Sequence, residues 1–251
     1  MDGQRLCYHF ILLIAVLSSL VLASIDLNER TRVRRFKWTA SIDLTTGIAT
    51  SHEISRVPSS CSLHRTIASG GEAAKFIRDL FCGYPSWLAT WPVSLGCLRS
   101  IPITAETRMK QTITALRDPV FGMTFLSFGP GRFSVREIQR RAGRRATEYT
   151  VTLPLAGGLL ARPSSSGTFG SLFFTLISKR DANGESFFVI DTGIADGFRP
   201  ALAGSTPPLS RTRAGIYRSS QSLLHAYIMW RFHRHCYHAS ESKLDEKKRM
   251  K

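Results

Sequence analysis

The chain lacks the short motifs that mark the commoner enzyme chemistries. It has no GxSxG, HExxH, GxxxxGKS/T or GxGxxG. This excludes a nucleophile elbow, a zinc-protease helix, a P-loop and a dinucleotide fingerprint. No CxxC occurs among its five cysteines, which argues against a zinc ribbon or a thioredoxin-like redox pair. No Asn-x-Ser/Thr sequon occurs, so glycosylation gives no support to an extracellular address. Acidic residues are scarce, 18 against 34 Lys and Arg, which leaves a net charge of +16. No apolar run reaches the ~20 residues of a membrane-spanning helix.

Apolar residues make up 43% of the 251, which excludes a mainly disordered chain and suffices for one sizeable core. Arginine supplies most of the positive charge, so the surface suits bidentate contact with phosphate or carboxylate. That balance fits an anionic membrane or an acidic partner, or a basic composition with no specific anionic partner.

The run from Phe10 to Ala23 has the length of a signal-peptide core, and Val21-Leu22-Ala23 offers a cleavage site after Ala23. The basic stretch RTRVRRFK (30–37) follows it and resists translocation, so an uncleaved anchor is the alternative. We expect entry into the secretory or endomembrane route. Loss of Cys7 with a cleaved signal leaves Cys61, Cys82, Cys97 and Cys236, for which three pairings stay open. Residues 24–60 read as a basic extension holding a strand or a hairpin around Thr46-Gly47, or as a linker.

Beyond residue 60 the pattern is that of one domain to about residue 240, followed by a charged tail at 241–251. SLHRTIA (62–68) reads as a short strand. Ser69 and Glu72 form a capping box, and Ala73, Phe76, Ile77, Leu80 and Phe81 follow on one helical face. Gly83 and Pro85 end that helix; PSWLAT and VSLGCLR read as a second, broken helical piece. About five antiparallel strands come next. VFGMTFLSF is one; RFSVREIQ and TEYTVTLPL flank RRAGRR, and FGSLFFTLIS and ESFFVIDTG flank an Asn-Gly turn. A terminal helix is expected over roughly 216–238. Helices segregated from an antiparallel sheet mean an α+β fold.

FIRDLFCGYPSWLATWPVSLGCLRSI and SQSLLHAYIMWRFHRH carry a diffuse resemblance to the helix-grip superfamily of START, Bet v 1-like and polyketide cyclase domains. It spans roughly 62–240 and leaves the first 60 residues outside. The resemblance implies a curved antiparallel sheet gripping a long C-terminal helix, two short helices after the first strand, and a cavity between helix and sheet. The superfamily shares no catalytic set, so it assigns no functional residue here.

FHRHCYH (232–238) looks like a metal site, but on a continuous helix its ligands diverge and only His235 and His238 could share an ion. At 100° per residue, Ile216, Ser220, Leu223, Leu224, Tyr227 and Trp230 share an arc of about 120°, which predicts the packed stripe. Met229, His233 and Cys236 fall away from that stripe, so the histidines read as a solvated, basic helix end. No metal or other cofactor is expected.

The first functional expectation is non-enzymatic binding of a lipid or other apolar small molecule. By pattern, its wall is Phe125, Phe133, Tyr149, Phe173, Phe188, Tyr227 and Trp230, with Asp191 as the carboxylate to watch. The second is a membrane-associated interaction protein using Arg132, Arg136, Arg140, Arg141, Arg144 and Arg145 on an anionic membrane surface. The third is a cyclase- or hydrolase-type enzyme using Asp191 or a pocket histidine. Nucleic acid is disfavoured, because the aromatics alternate as core residues instead of forming a stacking platform. Oligomeric state is open.

Overall fold

The computed structural model describes residues 36–57, 59–68, 73–90, 99–104, 112–117, 124–139, 145–180, 186–203 and 207–249. The expected signal segment, the capping box at Ser69 and Glu72, Cys97 and the arginine-rich tip from Arg140 to Arg144 lie outside them. Among the described residues, no helix is long and apolar enough to cross a membrane.

The fold is α+β. Strands β1 (Phe36–Ile42) and β2 (Ala49–Arg56) form a hairpin, followed by helices α1 (Ser62–Ala68), α2 (Ala73–Cys82) and α3 (Tyr84–Thr90). Then come β3 (Arg99–Thr104), β4 (Thr112–Arg117), β5 (Thr124–Phe128), β6 (Arg132–Gln139) and β7 (Arg145–Gly157). Next are the short β8 (Ala161–Arg162), β9 (Ser171–Arg180), β10 (Ser186–Ala195) and the short β11 (Arg199–Pro200). Helices α4 (Arg211–Ser219) and α5 (Gln221–Arg249) close the chain. Among the described residues, nine strands share one antiparallel sheet in the order β1-β2-β10-β9-β7-β5-β4-β3, with β6 also paired to β7. At ~1.5 Å rise per residue, the 29-residue α5 is about 44 Å long.

Several expectations are corrected. The sheet is larger than five strands: the hairpin expected around Thr46-Gly47 forms as β1 and β2, and because β2 pairs with β10 it lies within the domain, not in an extension before it. SLHRTIA is helix α1 and not a strand. Cys61 sits at its start, with its thiol sulfur accepting from the His64 backbone N–H at 3.4 Å. Helix α1 therefore joins α2 and α3, making three helices where two were expected. As expected, α2 ends at Cys82, before Gly83 and Pro85, and a second helix, α3, follows, with Pro85 in its first turn, where its missing N–H costs nothing.

The terminal helix is two helices. Ser210 caps α4 by accepting from the Arg213 backbone N–H, and Ser220 separates α4 from α5. Residues 241–249 continue α5 instead of forming a separate tail. The break resets the helical phase, and the expected stripe is displaced. Ile216 is 41% exposed, whereas Met229, Phe232 and Cys236 have no exposure and His233 only 1%. The buried residues of α5 are Ser222, Ala226, Met229, Trp230, Phe232, His233 and Cys236, with Trp230, from the expected stripe, at the edge of a helical repeat partly disguised by small and polar residues.

One face of the sheet holds the core. Leu172, Phe174 and Leu176 of β9 and Phe188, Ile190 and Ile194 of β10 point the same way, toward Ile77 and Phe81 of α2 and Met229 and Phe232 of α5. Tyr84, Trp87, Phe174 and Phe232 form an aromatic cluster with ring centroids 5.0–5.9 Å apart. The Pro-x-Trp segment is thus what seats the helical pair against α5. On the opposite face, the Phe173 ring lies over Gly193 of β10, and a side-chain carbon built there would stand 2.0 Å from the Ser51 carbonyl oxygen and 2.7 Å from Phe173 Cζ. Gly193→Ala should therefore lower stability by about 1–3 kcal/mol through overpacking. Gly215→Ala, in an open position on α4, should raise it by up to about 1 kcal/mol. Urea denaturation of both variants checks this, and equal signs would contradict the packing described.

Candidate functional site

Strand β2, ATSHEISR, alternates strictly: Ala49, Ser51, Glu53 and Ser55 are buried, and Thr50, His52, Ile54 and Arg56 are exposed. Its polarity at the centre is inverted. Ile54 is 40% exposed, whereas Glu53 has no exposure. A one-residue slip would exchange the faces and bury His52 and Arg56, so pairing with β1 and β10 holds the register that buries a single ionisable side chain.

Around Glu53 a polar group fills the space between the β2–β10 pair and α5. The Tyr237 hydroxyl donates to Ser55 Oγ at 2.7 Å, and Ser55 Oγ lies 2.7 Å from His233 Nδ1. His233 Nε2 lies 3.0 Å from Thr192 Oγ1, and the Thr192 hydroxyl points at the Glu53 carbonyl and at Glu53 Oε2, both at 3.5 Å. Only one assignment of protons satisfies this order. Thr192 has one proton, which it directs at Glu53, so it accepts from His233 Nε2–H; the neutral imidazole then accepts at Nδ1 from Ser55, whose oxygen accepts from Tyr237. The chain runs in one direction, from α5 to the carboxylate.

Burial alone pushes His233 down to about 3, so its imidazole is neutral. His225, two turns earlier on α5, places Nε2 3.5 Å from Glu53 Oε2 without hydrogen-bond geometry, and 13% of its side chain reaches solvent. Glu53 Oε1 has no hydrogen-bond partner among the described residues, and neither has Ser51 Oγ on the same face. Burial, and then the charge of Glu53, pushes the Tyr84 and Tyr217 hydroxyls up.

The expected wall residues divide. Phe133, Tyr149, Phe188 and Tyr227 face the core, and Trp230 is buried against Tyr227 with ring centroids 5.6 Å apart. Phe125 is half-buried. Phe173 and Asp191 are misplaced by the expectation. They lie on the opposite face, because Phe174 and Thr192 take the inward positions of their strands. Asp191 stands 3.6 Å from the exposed His52 there; desolvation raises its carboxyl and His52 opposes the shift.

Arg132 and Arg136 are exposed on β6, and Arg145 begins β7. The histidine-rich segment is not a helix end, since α5 runs on to Arg249, but one side of it is solvated as expected: Arg234, His235 and His238 are exposed, with His235 stacked on Trp87. The other side is buried, where both nitrogens of His233 are engaged and Cys236 is enclosed, with burial pushing its thiol up. Cys61, Cys82 and Cys236 are free thiols. Among the described residues, no three His, Cys, Asp or Glu side chains converge as a metal site.

No protein-family model matches the chain, and no curated protein matches it in sequence. The crystal structure of human STARD10 aligns over 87% of this chain and 80% of its own length, at 10% identity and a TM-score of 0.37. That likeness is too distant to assign a family or a ligand.

Sequence reading missed Glu53, Ser55, Thr192, His225 and His233. The available signal was the alternation of β2, which required knowing that 49–56 is a paired strand. In the ligand-free chain, Glu53→Gln should raise stability by about 1–3 kcal/mol, since it removes a buried charge that lacks a full partner while keeping the shape. An unchanged or lower urea midpoint would count against this description of the site.

The pH dependence follows from His233. An imidazole in the unfolded chain protonates near about 6.5, whereas the folded chain holds His233 neutral down to about 3. The unfolded chain therefore binds the extra proton within that window, and stability falls as pH drops through it, by up to about 1.4 kcal/mol per unit. His233→Gln should flatten the slope between pH ~6.5 and ~4.5, above the ordinary carboxylate range. Thermal unfolding against pH shows whether the two slopes differ.

Proposed function

We propose that the chain binds an apolar small molecule or lipid, without converting it, and receives the molecule's polar end at Glu53 beneath α5. The observation that carries this reading is the Glu53 carboxylate itself: wholly buried, with Oε1 unpartnered among the described residues, in a face that is otherwise apolar or neutral. Burying such a group costs several kcal/mol unless a partner arrives. Ligand sites commonly combine an apolar lining with a few convergent polar groups. Phe188, Tyr84, Tyr217 and Met229 supply buried apolar surface on the same face. Binding is favoured over catalysis because His233, the obvious proton carrier, has both nitrogens committed to structural hydroxyls.

The test is native mass spectrometry of the full chain after equilibration with a total lipid extract and desalting. One retained small molecule per chain is expected. A bare-chain mass after every loading would overturn the reading.

A further inference from the structure

Three of the six large apolar side chains left exposed among the described residues belong to one edge of the sheet. Trp38, 41% exposed, lies on β1, the edge strand that pairs with β2. Ile216, also 41% exposed, lies on α4, which packs against β1. Leu44, 37% exposed, follows β1, and its carbonyl accepts from the Leu209 N–H just before α4. Single exposed apolar residues need no explanation, but a group on adjoining elements marks an interaction surface.

The charge at this edge is of one sign on α4. Ala214 and Tyr217 are the buried residues of RTRAGIYRS, so at 100° per residue Thr212, Gly215, Ile216 and Ser219 form its outward crest. Arg211 and Arg218 flank the crest on one side and Arg213 on the other, all exposed, and the helix has no carboxylate. Arg211 and Arg213 stand in the first turn, where the helix dipole favours negative charge, so they oppose α4 itself until an anion faces them. Lys37 adds an exposed charge from β1, and Asp43 of the β1–β2 turn subtracts one. A tryptophan and aliphatic residues ringed by arginine suit a bilayer interface, where the ring sits among headgroups and the guanidinium reaches phosphate. A second copy, docked about a two-fold axis, would set these arginines against themselves. A nucleic acid would leave Leu44 and Ile216 in water.

We infer that the β1–α4 edge is a docking surface for an anionic phospholipid bilayer. Trp38, Leu44 and Ile216 enter the headgroup layer, and Arg211, Arg213 and Arg218 meet the phosphates. This surface is independent of any ligand beneath α5. It is also separate from Arg132 and Arg136, which lie on β6, beyond β7 on the other side of the sheet.

The experiment titrates the full-length chain with phosphatidylcholine vesicles carrying brominated acyl chains, with and without phosphatidylserine, and reads tryptophan quenching. Phosphatidylserine should lower the half-saturating lipid concentration about tenfold or more. Trp38→Phe should remove most of the quenching. Arg211→Ala with Arg213→Ala should raise the half-saturating concentration about tenfold or more, since each arginine beside an anionic bilayer contributes roughly fivefold. Arg132→Ala with Arg136→Ala removes the same charge from β6 and should change it less than about threefold. Ile216→Ser should raise it about threefold or more, because less apolar surface then leaves water. All the substituted side chains are exposed, and circular dichroism verifies each fold. The apolar run from Phe10 to Ala23 is the same in every variant, so differences among them report the surface. No quenching with phosphatidylserine, undiminished quenching in Trp38→Phe, or equal losses from the α4 and β6 pairs would overturn the inference. So would a wild-type dimer that Ile216→Ser returns to monomer and that lipid does not compete for, which would give the edge to a second copy.

Discussion

His233 hangs between Ser55 of β2 and Thr192 of β10, and through that imidazole the C-terminal helix is held at one rotation and one height on the sheet. Hydrophobic contact is non-directional and would tolerate sliding of a long helix. Two hydrogen bonds from one rigid ring do not. Once His233 is placed, Phe232 beside it must enter the aromatic cluster with Tyr84, Trp87 and Phe174. His225, two turns earlier, must come to rest over Glu53. The tie is strengthened one turn further along α5, where Tyr237 donates to the same Ser55 and its carbonyl accepts from Ser62 at the start of α1. A buried network of this kind stabilises only when every member is satisfied. Here every member is, except its last.

The element types were largely legible, because they rest on local periodicity. The alternation of RFSVREIQ and TEYTVTLPL appears as the β6–β7 pair, and FGSLFFTLIS with ESFFVIDTG as β9–β10. The face carried by each element was less legible. In Phe173-Phe174 and Phe187-Phe188, adjacent aromatics fit either face, and the cross-strand register alone decides which is inward. Asp191 was singled out as the carboxylate in an apolar strand, but Thr192 holds the inward position. In α5 the error had a different source. A stripe drawn through Leu223, Leu224 and Tyr227 rewards large apolar residues, whereas the true face uses Ser222, Ala226 and Cys236 to bring the helix close to the strands.

Glu53 escaped notice because, although a hairpin around Thr46-Gly47 was legible, β2 has no apolar alternation to show which of its faces is inward. ATSHEISR carries its one branched aliphatic residue, Ile54, outward. Its strand character comes from pairing with β1 on one side and β10 on the other, which is tertiary information. Local propensity is a weak guide where neighbours on both edges impose the conformation.

That register also separates what is forced at position 53 from what is not. The inward direction is forced, since the alternative buries His52 and Arg56. The residue type is free: a serine, as at positions 51 and 55, or a leucine would keep the register and avoid a buried charge. Departures from local rules concentrate where function needs them, and their cost is carried by the rest of the fold. The hydrogen-bond chain from Tyr237 to Thr192 fits that division. It meets Glu53 from one side, through Oε2 and the backbone, and leaves Oε1 without a partner among the described residues. A carboxylate retained only for structure would be expected to have both oxygens engaged.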